Sequence, residues 1–186
     1  WGAAKVDGRG FLIGLGGGLL DAVGSIGLVY SATTYLIGVA SAINALYADP
    51  DSREIFDYFD GLTDLKAHHV RFIGNADQRI AEDHLRILRL FRFHARFGQG
   101  AIDADAVRAA STHANKLMAL SRERIADELR KLLSVANPAP AVQAMIDNGI
   151  FATFLPEIIS DAGSKLAKLI EREQLSASKA SVSRRL

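Results

Sequence analysis

The spacing of apolar and polar residues divides the middle of the chain into short elements. Two apolar runs, Leu46-Tyr47 and Ile55 to Phe59, flank a turn at Asp49-Pro50-Asp51-Ser52, which is the pattern of a β-hairpin. Leu62 to Ala67 is predicted to form a short helix, and Val70 to Ile73 a short extended segment. These elements are typical of the edge of an α/β unit.

From Gln78 to Phe97 the spacing becomes helical, and Gly98 is predicted to end this single helix as its C′ residue. The apolar face repeats at three- and four-residue intervals: Ile80, Leu85, Leu88, Phe91 and Ala95. The opposite face carries five arginines and two acids: Arg79, Glu82, Asp83, Arg86, Arg89, Arg92 and Arg96. Such a face is either a solvated surface with ion pairs along the helix or a recognition surface. The recognition surface would explain why every basic residue is arginine.

Further helices are predicted over Ala104 to Ala119 and over Arg122 to Val135, the second capped by Ser121. Asn137-Pro138 and Asn148-Gly149 bracket another helix, with Asn137 as its N-cap, Pro138 as its first residue and Gly149 as its C′ residue. The chain beyond residue 71 is therefore predicted to be helical.

The first 45 residues have a different composition. From Phe11 to Asn44 the only acidic or basic side chain is Asp21. Residues 22–46 are long enough to span a bilayer, but their glycines and the lack of flanking basic residues favour an irregular apolar segment, so no membrane span is expected. The glycine run at Gly14 to Gly18 lacks the G-x-G-x-x-G spacing of a dinucleotide-binding loop.

Charge and cysteine content narrow the function classes. The 22 basic and 21 acidic residues give a net charge of +1, which predicts no global attraction to nucleic acid or membranes. Residues 71–131, with 12 basic and 8 acidic side chains, nevertheless predict a weakly basic surface that could face RNA. The absence of cysteine fits a reducing compartment, so a cytoplasmic location is expected. Four histidines, His68, His69, His84 and His94, show no spacing typical of a metal site.

Five ordered motifs resemble one family: Ile43-Asn44-Ala45-Leu46, Asp57-Tyr58-Phe59-Asp60-Gly61, Val70-Arg71-Phe72-Ile73-Gly74, Glu82-Asp83-His84-Leu85-Arg86-Ile87-Leu88-Arg89, and Leu120-Ser121-Arg122-Glu123-Arg124. In order and spacing they are similar to those of the bacterial CCA-adding enzymes (tRNA nucleotidyltransferases) and poly(A) polymerases. The resemblance covers about residues 43–175.

The resemblance implies a mainly α fold made of the remnant of an α/β nucleotidyltransferase head, a helical neck and the start of a helical body. The head would comprise residues 1–70, of which 1–42 are atypical. The neck, which would bind nucleotide and RNA, would comprise residues 71–136, and a truncated body residues 137–186.

The implied activity is tRNA 3′-end CCA addition, the transfer of CMP and AMP from CTP and ATP to the tRNA 3′ end. In the family, the Glu-Asp-x-x-Arg motif reads the incoming base. By that match Asp83 and Arg86 would bind the base, stacked along one helical turn. Arg89 and Arg92 would contact the nucleotide further along the helix, with Glu82 in support.

The chain departs from the family where the catalytic metal would bind. Mg²⁺ is expected of the family, but its Gly-Gly-x-x-Arg-Asp loop and N-terminal Asp-x-Asp pair do not occur in residues 1–42, where Asp7 and Asp21 are isolated. Gly38 to Ala42 replaces the arginine-containing string that helps to bind triphosphate. No catalytic or metal-binding residue is therefore predicted, and the chain is expected to be inactive or severely impaired.

Three interpretations accompany this expectation. Residues 10–42 are hypothesised to be translated from a shifted reading frame, which would make the chain a fragment of a decayed or mis-assembled gene. A poly(A) polymerase is an alternative within the family, and a non-catalytic RNA-binding module that uses Arg86, Arg89, Arg92 and Arg96 on phosphates is an alternative outside it.

Overall fold

The computed structural model describes residues 3–5, 46–48, 54–158, 160–176 and 181–185. Several sequence-based expectations lie outside these residues: the glycine run, almost all of the apolar segment, the hairpin turn, the isolated aspartates and the hypothesised frame-shifted region. Among the described residues, no helix is both long enough and apolar enough to cross a bilayer.

A three-stranded antiparallel sheet confirms the predicted hairpin. Strands β2 (Leu46–Ala48) and β3 (Glu54–Asp57) pair with Leu46 opposite Asp57 and Ala48 opposite Ile55. Strand β1 (Ala3–Lys5) pairs with the other edge of β3, so the strand order is β1-β3-β2.

Helix α1 (Gly61–Lys66) follows the sheet, close to the predicted range. The Asp57 carboxylate accepts hydrogen bonds from the backbone N–H groups of Gly61 at 2.7 Å and Leu62 at 2.9 Å, which satisfies two donors that a helix start leaves without partners. The segment from Val70 to Ile73 joins no sheet ladder. Apolar and polar residues alternate at its start because Val70 and Phe72 are buried in the helical core.

The prediction of one helix from Gln78 to Phe97 is wrong in the middle. Helix α2 (Ala76–Glu82) and helix α3 (Arg86–Phe97) are separated at Asp83, whose backbone is extended at φ −155° and ψ 107°. One Asp83 carboxylate oxygen, Oδ1, accepts from the Leu85 N–H at 3.1 Å, a local bond with which aspartate competes against helix continuation. The apolar spacing continues across the break and conceals it.

Helix α3 lies at the centre of the core, because Ile87, Leu90 and Phe91 have no exposed side-chain surface. Gly98 ends the helix, but not as a left-handed C′ residue, since its φ is −76°. A Cβ at Gly98 would collide with the His94 ring, so glycine is required there for close packing.

The remaining helices confirm most of the predicted boundaries. Helix α4 (Ala104–His113) continues as a 3-10 helix (Ala114–Ala119), which corrects the single α-helix predicted over this range. The Ala114 carbonyl there accepts from the Thr153 hydroxyl at 3.2 Å. Helix α5 (Arg122–Leu133) is capped by Ser121 as predicted.

Helix α6 (Ala139–Asp147) begins one residue later than predicted, so Pro138 is its N-cap and not its first residue. Gly149, two residues beyond the helix, has a φ of +68°, which confirms the predicted C′ glycine. The Ile150 N–H donates to the Met145 carbonyl at 2.9 Å, the bond expected when a left-handed residue closes a helix. A 3-10 turn (Phe151–Thr153) leads to helix α7 (Ala162–Leu175), and helix α8 (Val182–Arg185) completes the described elements.

One apolar core extends from Val70 to Ile170 and includes residues on both sides of position 136. The mainly α fold is therefore confirmed. The division into neck and body at residue 136 stays a prediction, because no gap in the core marks it.

Candidate nucleotide-binding site

Asp83 and Arg86 lie at the start of α3, in the break after α2. The Arg86 N–H donates to the Asp83 carbonyl at 3.0 Å, so a turn that precedes α3 joins the two residues. The sequence predicts that they stack along one helical turn, but Asp83 has an extended backbone and is outside both helices. Within the described structure no ion pair joins the two side chains, and each is held by other partners.

Asp83 is fixed by two donors. Its Oδ1 accepts from Leu85 N–H at 3.1 Å and from Arg124 Nη2 at 3.1 Å, whereas its Oδ2 accepts from the same Nη2 at 3.0 Å. An ionised carboxylate offers about four lone-pair positions. Described residues occupy three of them, so one acceptor position on Oδ2 is left without a described partner.

Arg86 is held on one side of its guanidinium. Nη1 donates to the Arg79 carbonyl at 2.7 Å and pairs with the Glu82 carboxylate. This contact with Arg86, more than that with Arg79, lowers the pKa of Glu82. Nε is buried without a hydrogen-bond partner, and Nη2 donates to no described residue. The Arg86 side chain is 12% exposed, so its two Nη2 hydrogens are donors in a partly desolvated place.

Arg89 and Arg92 contact a carboxylate that the sequence motifs do not indicate. Glu128 on α5, 4% exposed, lies 3.4 Å from Arg89 Nε and 2.7 Å from Arg92 Nε. Burial lowers the pKa of Arg92, and the Glu128 charge opposes that shift. Lys131 Nζ approaches the same carboxylate at 3.8 Å.

Sequence reasoning therefore missed two residues of this site, Arg124 and Glu128. Arg124 falls within the last family-like motif, but its spacing from Asp83, 41 residues, follows no helical or strand period. Glu128 is similarly 39 residues from Arg89. The one available signal is that a carboxylate at position 128 interrupts the apolar face of α5.

A separate concave surface of about 480 Å³ lies on another face of α5. It is lined mainly by apolar side chains, among them Met118, Leu120, Ile125 and Phe154. None of the residues predicted to bind nucleotide lines it.

Three comparisons connect this geometry with known proteins. Residues 101–161 match the family model described as "Probable RNA and SrmB- binding site of polymerase A". The mitochondrial CCA tRNA nucleotidyltransferase 1 of Homo sapiens is 46% identical over 93 residues, which are 49% of this chain and 21% of that protein. The CCA-adding enzyme of Latilactobacillus sakei is 38% identical over 109 residues, 59% of this chain and 27% of that enzyme.

Over the matched residues the chain is similar to the CCA-adding enzyme and poly(A) polymerase family. The resemblance noted in the sequence is thereby confirmed. The chain spans about a quarter of the length of these CCA-adding relatives.

Solved CCA-adding enzymes share the fold. The Bacillus stearothermophilus CCA-adding enzyme in complex with CTP superposes with a TM-score of 0.58 at 31% identity, over 68% of this chain and 31% of that one. The Thermotoga maritima CCA-adding enzyme complexed with tRNA reaches a TM-score of 0.61 at 23% identity, over 74% and 35%, which supports the fold alone.

Among the described residues, no cluster of three or more histidine, aspartate or glutamate side chains could hold a metal ion. The Asp-x-Asp string at Asp103 and Asp105 serves the helix instead, because Asp103 accepts from the Ala106 N–H at 2.9 Å to cap α4. Asp105 is 88% exposed and is 3.9 Å from Arg108.

Proposed function

We propose that the chain derives from a tRNA 3′-end nucleotidyltransferase that adds CCA, and that it binds CTP and ATP without efficient catalysis. The supporting observation is the unused hydrogen-bonding capacity at the break between α2 and α3. After the partners among the described residues are counted, Asp83 retains one acceptor, and Arg86 retains its two Nη2 donors besides the buried Nε–H.

That capacity is complementary to cytosine and adenine. Both bases present an exocyclic amine beside a ring-nitrogen acceptor, so a carboxylate can accept from the amine while a guanidinium donates to the ring. Uracil and guanine present a carbonyl and an N–H instead. Binding of either base would leave charged groups without hydrogen-bond partners, which costs about 1–3 kcal/mol of binding free energy per group.

Glu82, Arg89 and Arg92 are proposed as supporting and nucleotide-binding residues. Glu82 pairs with Arg86, and Glu128 orients the other two arginines. Relatives solved with ATP and with CTP support nucleotides as ligands, and a relative named as a CCA tRNA nucleotidyltransferase supports a tRNA 3′ end as the second partner. The division into head, neck and body over residues 1–70, 71–136 and 137–186 belongs to this proposal, as does a cytoplasmic location.

Catalysis by this chain is proposed to be absent or severely impaired. Nucleotidyl transfer relies on divalent metal ions held by carboxylates, and Mg²⁺ is the proposed ion for the family. The described residues do not fit such an ion, because they contain no suitable acidic cluster. No reaction step is therefore assigned to a metal in this chain.

Nucleotide binding and incorporation test the proposal. By equilibrium dialysis, CTP and ATP should bind at least about tenfold more tightly than UTP and GTP, given the expected cost of the unpaired groups. Asp83→Asn should abolish the difference, whereas Asp105→Asn, on an exposed carboxylate, should retain it. With tRNA lacking its 3′ end, labelled CTP, ATP and Mg²⁺, incorporation should stay near background.

Two outcomes would contradict these expectations. Equal affinity of the wild-type chain for CTP and UTP would remove the base-reading role, and a C-C-A product would show that the chain is active. An A-only tail would indicate a poly(A) polymerase. A non-catalytic RNA-binding module is not favoured, because the relatives that the chain matches are CCA-adding enzymes.

A further inference from the structure

The short helix α8 places a fully paired guanidinium in the protein interior. The Arg185 side chain is 2% exposed. Its Nε and Nη2 donate to Glu173 Oε2 at 2.9 and 2.7 Å, and its Nη1 donates to the carbonyls of Leu133 and Val135 at 2.8 and 2.6 Å. Nη2 also reaches the Ala136 carbonyl at 3.4 Å. All five N–H groups thus have an acceptor.

Glu173, on α7, is the anionic half of this arrangement. Burial by itself would raise its pKa, but hydrogen bonds from Arg185 and then Arg184 hold that pKa below its usual range. Arg184 donates to the second carboxylate oxygen, Oε1, at 3.2 Å. The carboxylate therefore stays ionised and keeps both arginines in place.

The three carbonyls lie at the end of α5 and just beyond it. Leu133 is the last residue of that helix, where the final carbonyls lack partners within the helix. A cation at this end also interacts favourably with the helix dipole. Arg185 thus joins the C-terminal end of α5 to α7 through bonds to the α5 backbone.

Helix α5 carries both side chains that hold the candidate nucleotide site. Arg124 binds Asp83, and Glu128, one helical turn later, binds Arg89 and Arg92. Glu128 is five residues before Leu133, so a shift or fraying of the end of α5 would move its carboxylate relative to α3. The Ser121 cap at the other end is a single exposed bond of 3.4 Å.

We propose that Arg185 is a positioning residue for nucleotide binding: by fixing the end of α5 against α7, it keeps Glu128 in register with the arginines of α3. The ligand in this inference rests on the proposed function, whereas the effect on α5 does not. The guanidinium touches no nucleotide and acts only through α5.

Hydrogen exchange of the full chain tests whether Arg185 fixes the end of α5. Arg185→Ala should speed exchange of the backbone amides of α5 by about tenfold or more, because a buried carboxylate and three carbonyls lose their partner. Arg185→Lys, which keeps the charge but has too few N–H groups for all the acceptors, should give a smaller increase. Arg172→Ala, at an exposed position of α7, should leave α5 unchanged.

A double-mutant cycle on CTP affinity tests whether Arg185 affects nucleotide binding through Glu128. If Arg185 acts through Glu128, then Arg185→Lys should weaken CTP binding by about threefold in the wild type but have little further effect in Glu128→Gln. Additive losses, or unchanged exchange in α5, would overturn the proposal. If Arg185→Ala does not fold, the lysine variant decides both measurements.

The two proposals fail in distinguishable ways. If wild type and Asp83→Asn bind CTP equally, base reading is wrong, and the exchange of α5 still decides whether Arg185 fixes that helix. If Asp83→Asn loses CTP selectivity but Arg185→Lys changes neither exchange nor affinity, only the positioning role is wrong.

Discussion

Glu128→Gln is predicted to destabilise the protein strongly, because three cations surround one buried carboxylate. Arg92 lies at 2.7 Å, Arg89 at 3.4 Å and Lys131 at 3.8 Å. Removing one member of a buried ion pair costs about 3–5 kcal/mol. The Arg89 and Arg92 side chains are 25% and 17% exposed and retain some hydration, so about 2–3 kcal/mol of the free energy of unfolding is expected to be lost.

Urea unfolding followed by far-ultraviolet circular dichroism measures this loss. With a slope of about 1–3 kcal/mol per molar urea, the midpoint should fall by about 1 M. Asp127→Asn is the matched control, since Asp127 is the adjacent residue on α5 but is exposed and pairs with Lys131 and Arg130 at the surface. Its midpoint should be unchanged. Equal midpoints for Glu128→Gln and wild type would refute the inference that Glu128 neutralises a desolvated cluster.

Two further predictions concern a backbone conformation and a proton. Gly149→Ala should lower the free energy of unfolding by about 1 kcal/mol through left-handed backbone strain alone, because no atom of the described residues lies within 4 Å of the added methyl group. Gly149→Asn should lower it less, and urea midpoints compare the two variants. Burial lowers the pKa of His94, so the unfolded state binds a proton more readily. Stability should thus be fully present above about pH 6.5 and decline as the pH falls towards 5; a His94→Gln variant with the same decline would contradict this.

The local elements were accessible from the sequence because short-range chemistry determines them. The caps at Ser121 and Gly149 follow from residues adjacent to the helix ends, and both were predicted correctly. The break at Asp83 was missed because the apolar residues of α2 and α3 keep the same helical phase across it. Apolar spacing reports which face is buried, and it does not require the backbone hydrogen bonds to be continuous.

The candidate site was only partly accessible for a different reason. Family-like motifs indicate Asp83 and Arg86, but the partners that orient the site, Arg124 and Glu128, come from a helix about 40 residues away. Pairing over that distance depends on how α5 packs against α3. No periodicity within a single helix contains that information.

The arginine-only face of α3 gains a physical explanation from this packing. Arg89 and Arg92 share one buried carboxylate, which each approaches through Nε, and Arg86 Nη1 spans Glu82 and a backbone carbonyl. The compact ammonium of lysine could not reproduce those geometries. Internal pairing therefore accounts for the choice of arginine before any ligand is considered. CTP affinity tests a nucleotide contact at Arg89 and Arg92, because Glu128→Gln removes the charge that orients the two side chains but leaves both guanidinium groups present.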